Sequence, residues 1–324
     1  MRDVRDDIWL SSTLLLDAIC HYVKCKVRIL SVPTGVPTSN SERLVVTKVP
    51  TFRIDKLLSS LGYGSRREVS SLVRRGAICF DSTIVRDVTK RIPVTTDLPT
   101  RLSVDGNYLD PIAGMVVILN KPLGVTCSHA EDGDLVYDLL PERWRRRDPV
   151  LSTVGRLDKQ TSGLLLLTDD GDLLHRIISP KRQLRKTYRV TLARPLIGTE
   201  GELFASGCLM LKGEQKPLAP ADLTVVSDTE VLLSVTEGRY HQVRRMFAAT
   251  GNFVAALHRE QLGGLSLPND LSPGHWRLLG EDAINSIFSL DECARASDRG
   301  DEVVLPFTKS ATRPHSALKE LKDT

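Results

Sequence analysis

The segment Gly155-Arg156-Leu157-Asp158-Lys159-Gln160-Thr161-Ser162-Gly163-Leu164-Leu165-Leu166-Leu167-Thr168-Asp169-Asp170-Gly171 sets a carboxylate in a loop between a glycine turn and a strongly apolar run. A carboxylate at the edge of a core has a proton affinity that burial and nearby charge readily tune, which suits acid–base or nucleophilic work. Read from these residues alone, the favoured reading is that Asp158 simply caps a turn or pairs with Arg156. Other chemistries find less support. His241 and His258 lie far apart with no metal-ligand spacing, and Ser128-His129 lacks the G-x-S-x-G turn of a serine hydrolase. Cys127 stands near His129, but nothing marks it as a reactive thiol. The six cysteines form no C-x-x-C pair, so neither a zinc nor a redox site is expected. Scattered thiols of this kind fit a reducing compartment.

A loop of this kind has to be carried by strands. Val116–Leu119 reads as a buried strand followed by a turn at Asn120-Lys121-Pro122-Leu123-Gly124. Leu164–Leu167 reads as another, closed by Thr168-Asp169-Asp170-Gly171, with a helix over Asp172–Ile178 that Pro180 ends. Tyr188–Leu192 and Val231–Val235 have strand character. His241–Thr250 places Val243, Met246 and Phe247 on one helical face, and Gly251 stops it. Many strands with few helices between them predict an α+β domain over residues 113–290, built on a mixed, mainly antiparallel sheet with helices packed on it.

A smaller module precedes it over residues 51–110. Ile54, Leu57, Leu58 and Leu61 recur at helical spacing, and Gly62 and Gly64 break the run. Ser65 with Glu68 three residues on predicts a capping box at the start of a second helix, and Gly76 fits its left-handed stop. Ala77–Phe80 and Thr83–Val85 read as a hairpin around Asp81-Ser82, and Asp105-Gly106 marks a further tight turn. The second helix carries Arg66, Arg67, Arg74 and Arg75 on its outward face.

Charge supports a lean toward nucleic acid and no more. The net charge is +4. Residues 51–112 hold ten Lys/Arg against seven Asp/Glu, so the module is the basic part, whereas residues 113–290 balance at 21 against 21. The larger domain still has dense clusters at Arg143/Arg145/Arg146/Arg147 and Lys181/Arg182/Arg185/Lys186/Arg189, of the kind that often faces phosphates. No apolar run approaches the roughly 20 residues of a membrane span. Residues 1–50 contain an apolar stretch, Ile8 to Ile19, but Asp3, Asp6 and Asp7 precede it, which argues against a targeting peptide. They are expected to be a poorly ordered extension, with an organellar leader as the alternative. Residues 291–324 read as a polar tail.

Two resemblances sharpen these expectations. Arg53-Ile54-Asp55-Lys56-Leu57-Leu58, Ser65-Arg66-Arg67-Glu68 and Arg74-Arg75-Gly76-Ala77-Ile78 resemble the alpha-L RNA-binding domain first seen in a small-subunit ribosomal protein. The 155–171 string resembles the catalytic motif of the pseudouridine synthases that modify small-subunit rRNA and single sites of large-subunit rRNA, with Gln160 and Ser162 as mild variants. Lys186-Thr187-Tyr188-Arg189-Val190 and Glu237-Gly238-Arg239-Tyr240-His241-Gln242-Val243-Arg244-Arg245-Met246-Phe247 resemble two further segments of that family, in the family order. Tyr240-His241-Gln242 and Leu257-His258-Arg259-Glu260 look closest to the small-subunit branch, and Asn120-Lys121-Pro122 and Lys216-Pro217 also fit. The resemblance spans about residues 52–280.

The resemblance implies an RNA isomerase in which Asp158 initiates cleavage of the glycosidic bond, Tyr188 lies against the base and Arg244 is the basic partner of Asp158. The small-subunit branch often has lysine where Arg244 stands, and either cation serves. It further implies RNA contacts from Arg53, Lys56, Arg66, Arg67, Arg74 and Arg75 in the small module, and from Lys121, Arg156, Lys186, Arg239, His241, Gln242 and Arg245 in the large domain. The reaction involves no redox change, so no cofactor and no metal are expected. The expected partner is ribosomal RNA of the small subunit, with no membrane association, and the chain is expected to act as a monomer. The expected location is the cytoplasm, or a mitochondrion or plastid if residues 1–50 are a transit peptide. A catalytically silent ribosome-assembly factor of the same fold is the rival. The intact trio Asp158, Tyr188 and Arg244 speaks for the enzyme.

Overall fold

The computed structural model describes residues 49–112 and 114–297, with side chains to Ser289. The expectations placed on residues 1–48 and 298–324 lie outside the described residues.

In the small module, strand β1 (Thr51–Arg53) leads directly into helix α1 (Ile54–Ser60). Helix α2 (Arg66–Arg74) starts as its sequence predicts: the Ser65 hydroxyl accepts from the Glu68 N–H while the Glu68 carboxylate accepts from the Ser65 N–H. A short hairpin of β2 (Ile78–Phe80) and β3 (Thr83–Ile84) follows. It turns on Asp81 and Ser82, both at positive φ, the backbone that a two-residue hairpin loop requires. Strand β4 (Arg91–Pro93) pairs with β1, and α3 (Leu98–Arg101) precedes β5 (Leu102–Val104) and β6 (Asn107–Tyr108). The four-stranded sheet runs β3-β2-β5-β6. Ile54, Leu57, Leu58, Val69 and Val73 of the helices close a core against Ile78, Ile92 and Leu102.

The large domain is built on nine strands. They are β7 (Val116–Lys121), β8 (Ser152–Thr153), β9 (Ser162–Thr168), β10 (Lys186–Leu192), β11 (Asp222–Ser227), β12 (Glu230–Val235), β13 (Val254–Leu262), β14 (Leu265–Ser266) and β15 (Trp276–Leu278). The main path is β11-β12-β10-β13-β9-β7-β15, with β8 and β14 at its margins. Every pairing in it is antiparallel except that of β9 with β13.

The unbroken apolar runs of β7 and β9 are explained by burial on both faces. Val117, Leu119, Leu165 and Leu167 pack to one side against Tyr137, Leu140 and Trp144, the last from α4 (Glu142–Arg145). Val116, Ile118, Leu164 and Leu166 pack to the other against Leu173 and Ile177 of α5 (Gly171–Ile178) and Ile287 and Phe288 of α8. Helix α8 (Glu281–Ser297) runs past the expected domain end at residue 290, so the start of the polar tail is helical. A third core joins β10, β12 and β13 to Phe204 of α6 (Glu200–Ala205) and Met246 and Phe247 of α7 (Gln242–Ala249). Among the described residues no helix is long and apolar enough to cross a membrane.

The arginine cluster after Leu140 joins the two parts through Arg143 and Arg147. Arg143 forms a two-pronged ion pair with Asp110, which also accepts from the Trp144 indole at 2.8 Å. Arg145 pairs with Asp138, and Arg146 with Glu142. Arg147 is 2% exposed at its side chain and pairs at 2.7 Å with Asp169, itself 3% exposed, while also donating to the Pro111 carbonyl. The Asp148 N–H donates to the Ser60 carbonyl at the end of α1. Burial pushes the Asp169 carboxyl up, and the Arg147 guanidinium opposes that shift. Each charge of the cluster already has a protein partner. The second cluster is split the same way in part, since Arg185 pairs with Asp222 and Arg189 bridges Glu230 and Glu260 across three strands.

Candidate active site

The loop that carries Asp158 leaves β8 and enters β9, and its backbone is held from three directions. From β7, the Lys121 ammonium donates to the carbonyls of Asp158 (3.2 Å), Thr161 (2.9 Å) and Pro122 (3.0 Å). From the turn after β7, the Gly124 N–H donates to the Lys159 carbonyl at 2.9 Å. From α7, the Arg244 guanidinium donates to the Gln160 carbonyl at 2.6 Å, and it is anchored in turn on the Val254 carbonyl. Within the loop the Thr161 N–H closes a turn onto the Asp158 carbonyl. A backbone pinned at successive carbonyls cannot drift, so the side chain it carries is aimed in advance of any substrate.

The Asp158 carboxylate itself is 36% exposed and opens on a cleft of about 970 Å³. The imidazole of His241 stands beside it, with Nε2 3.5 Å from Oδ1. His241 sits at the start of α7 in the left-handed backbone region, φ 49°, and its ring stacks on that of the exposed Tyr240 at 3.9 Å. Tyr188, in the middle of β10, lines the same cleft, as do Lys186 and Arg239. Tyr188 is the cross-strand partner of Leu233 on one side and Arg259 on the other. A half-exposed carboxylate, an aromatic ring and a ring of cations around a cleft of this size suit a planar, polar, negatively backed ligand such as a nucleotide.

Several expected site residues stand elsewhere. Lys121 is fully buried, 0% exposed, so it holds the loop and is not an RNA contact. Burial pulls its ammonium below the usual lysine range, with the charges of Cys127 and Asp158 opposing. Gln242 is also buried; it accepts from the Arg239 N–H and donates to Glu237, locking the turn before α7. Arg244 reaches the backbone of the Asp158 loop and not its carboxylate, because the guanidinium is drawn between the Gln160 and Val254 carbonyls. Arg239 and Arg245 are committed to protein acceptors: both grip Glu214, and both donate to carbonyls of the 212–217 strap. The hydrogen bond from Arg245 holds the Glu214 carboxyl below its ordinary range. Arg156 lies exposed at the mouth, 3.5 Å from Glu131. In the small module Arg66, Arg67, Arg74 and Arg75 are all exposed, Arg75 paired with Asp105. Arg53 pairs with Asp55, and Lys56 is half-buried.

The structure adds two residues that motif reasoning passes over. Thr161 and Arg259 both line the cleft, yet the Thr161 hydroxyl and the Arg259 Nη2 are buried without a hydrogen-bond partner. Both fall inside segments that carry the family resemblance, Thr161 in the 155–171 string and Arg259 in Leu257-His258-Arg259-Glu260, but the resemblance assigned neither a role. Among the described residues no group of three or more His, Cys, Asp or Glu side chains converges as a metal site.

Comparison with known proteins gives this geometry a family. Residues 115–249, which contain the whole cleft loop, β10 and α7, match the family model described as RNA pseudouridylate synthase. The ribosomal small subunit pseudouridine synthase A of Vibrio cholerae is 39% identical over 237 residues, covering 73% of this chain and 100% of the relative. The chain belongs to the RNA pseudouridylate synthase family. The enzyme of the same name from Escherichia coli is 41% identical over 241 residues, again with 73% and 100% coverage. A solved structure described as a pseudouridylate synthase is 36% identical and superposes with a TM-score of 0.51, covering 73% of this chain and 99% of that one. This pseudouridine synthase is therefore an isomerase, and its mixed, mainly antiparallel sheet is the fold of that family.

Proposed function

We propose that this pseudouridine synthase converts one uridine of small-subunit ribosomal RNA to pseudouridine, during ribosome assembly, with Asp158 as the residue that starts the reaction. The observation that carries the reading is the loop itself: its carbonyls are fastened by Lys121, Gly124 and Arg244 while the carboxylate is left to the cleft. The target nucleotide has to leave the RNA stack, because C5 must take the place of N1 at the ribose. Asp158 then either attacks C1′ or removes a proton from C2′. Both routes need its ionised form, and both release the uracil with the N1–C1′ electron pair. Tyr188 backs the freed ring while it turns. C5 then displaces Asp158 from C1′, or adds to C1′ of the glycal as Asp158 returns the proton to C2′, and the C5 proton leaves. Residues 51–110 act as an alpha-L RNA-binding clamp through Arg66, Arg67, Arg74 and Arg75, and His241, Lys186 and Arg156 meet RNA at the cleft. The enzyme works as a monomer in the cytoplasm; an organellar location follows only if residues 1–50 are a leader.

The test is tritium release from small-subunit rRNA labelled at uracil C5, together with mapping of pseudouridine in cells with and without the gene. Asp158→Asn keeps the shape of the side chain and removes its charge, so RNA should bind as before while release falls below detection. Wild-type release by that variant would remove Asp158 from the mechanism. An rRNA unchanged at every uridine in cells lacking the gene would remove the substrate assignment, and binding without turnover would favour the silent assembly factor.

A further inference from the structure

Arg259 is 3% exposed, and among the described residues no carboxylate lies within ion-pair distance of it. An uncompensated buried guanidinium is costly, and proteins retain such a charge where it has a use. Its fixed contact is one bond, from Nε to the Leu164 carbonyl at 2.8 Å, while Nη2 is buried with no acceptor. The contrast with Lys121 is informative, because that ammonium is surrounded by carbonyls and its charge is consumed in holding the loop. Arg259 has hydrogen-bonding capacity and charge left over.

Its position is set by the one parallel junction of the sheet. Arg259 in β13 is paired with Gly163 in β9, and a Cβ on Gly163 would lie 2.3 Å from the Arg259 carbonyl oxygen. Gly163, at φ +103°, therefore lets the two strands approach at Arg259. On its other side Arg259 pairs with Tyr188, and directly paired residues of antiparallel strands project to the same face. Arg259 and Tyr188 thus spring from paired positions and both line the cleft that Asp158 opens on, the guanidinium held at the Leu164 carbonyl of β9.

We infer that Arg259 supplies the positive field that stabilises the uracil as a leaving group, the electron pair of the breaking N1–C1′ bond passing to N1 and spreading over O2 and O4. On the base side no proton moves in this step, the C2′ proton passing to Asp158 if the glycal route is followed, and no co-reactant is needed. The charge of the guanidinium acts from a buried position in the cleft wall, where electrostatic stabilisation is strongest. This deepens the proposed function and rests on it: Asp158 handles the ribose side of the bond and Arg259 the base side.

The experiment compares uridine with 5-fluorouridine at the target position of a small-subunit rRNA fragment. Fluorine stabilises the uracil anion, so cleavage of the fluorinated nucleotide needs less help from the protein. Loss of the N-linked nucleotide is followed by nuclease digestion and mass spectrometry, with enzyme in excess over RNA, for wild type, Arg259→Met and Arg259→Lys. Arg259→Met should slow loss of uridine on the order of 100-fold, the usual consequence of removing one charge-stabilising donor. It should slow loss of 5-fluorouridine at least about tenfold less, with RNA affinity unchanged. Arg259→Lys keeps the charge and should stay within about tenfold of wild type on both. A purely structural role would depress both substrates alike, and an equal deficit in Arg259→Met overturns the inference. If that variant fails to fold, a folded Arg259→Lys protein that is inactive on uridine overturns it as well. A wild-type enzyme inactive on uridine would instead refute the proposed function and is read before either variant.

Discussion

Replacing Lys121 separates two roles that a basic residue in this family motif could have. The structure puts its ammonium at 0% exposure against the carbonyls of Pro122, Asp158 and Thr161. Lys121→Met keeps the length of the side chain and takes that donor from all three acceptors, of which the Asp158 carbonyl keeps the Thr161 N–H. Each buried acceptor left unpaired costs roughly 1–3 kcal/mol, partly offset because the loop relaxes and an apolar side chain is cheaper to bury than an ammonium, for a net loss of about 2–4 kcal/mol. At roughly 2–4 °C per kcal/mol for a domain of this size, the midpoint of thermal unfolding should fall by about 4–16 °C. The loop should also lose its aim, so turnover should fall while RNA binding persists. The salt dependence of binding is the decisive readout. A lysine that contacts a phosphate contributes about 0.9 to the slope of log K against log salt, and a buried one contributes nothing. Fluorescence anisotropy on an rRNA fragment, titrated with KCl, should give parallel lines for wild type and Lys121→Met. A slope lower by about one, with an unchanged melting temperature, would refute the argument and return Lys121 to the RNA surface.

Three further outcomes follow from the same contacts. Reversing Arg66 and Arg67 on the exposed face of α2 to glutamate should weaken RNA binding and lower the salt slope by about one per lost phosphate contact, without changing the melting temperature, as the same titration would record. Tyr188→Phe should leave folding and RNA affinity unchanged and slow tritium release on the order of 100-fold if its hydroxyl assists removal of the C5 proton; unchanged release confines the residue to packing. Asp110 makes stability acid-sensitive. Burial alone would raise its carboxyl, but the bonds from Arg143 and Trp144 win and hold it below the ordinary range. A depressed folded value means that the stabilisation is present above the unfolded value of about 4 and is lost as pH falls through the folded one. Melting temperatures between about pH 5 and pH 2 should therefore drop less steeply in Asp110→Asn than in wild type.

The elements were legible because their signals are local. The Ser65–Glu68 box, the Asp81-Ser82 and Asp105-Gly106 turns and the leucine run of β9 depend on residues a few positions apart, and each formed where its pattern places it. The motif around Asp158 was legible for a different reason: a string of that length, in order with two others, is hard to assemble by chance. The partners of the charged residues were not legible, since a cation reads the same in sequence whether it ends in water or under a sheet. Lys121, Gln242 and Arg147 each look like surface residues open to RNA until their burial is known. Their acceptors come from segments far along the chain, such as Asp110 for Arg143 and Gln160 for Arg244. The pattern they share is physical. In a site that binds a polyanion, the structural cations must be neutralised by the protein before RNA arrives, or the RNA would pull them out of place. Glu214 does this for Arg239 and Arg245, Asp169 for Arg147, and loop carbonyls for Lys121 and Arg244. Arg259 stands apart from that rule: it is buried, its one fixed acceptor is the Leu164 carbonyl, no carboxylate among the described residues pairs with it, and it lines the cleft from the strand position paired with Tyr188. A charge left uncompensated in a scaffold that compensates the others is best explained by an anion that exists only during the reaction, which is the state the uracil enters when N1 leaves C1′.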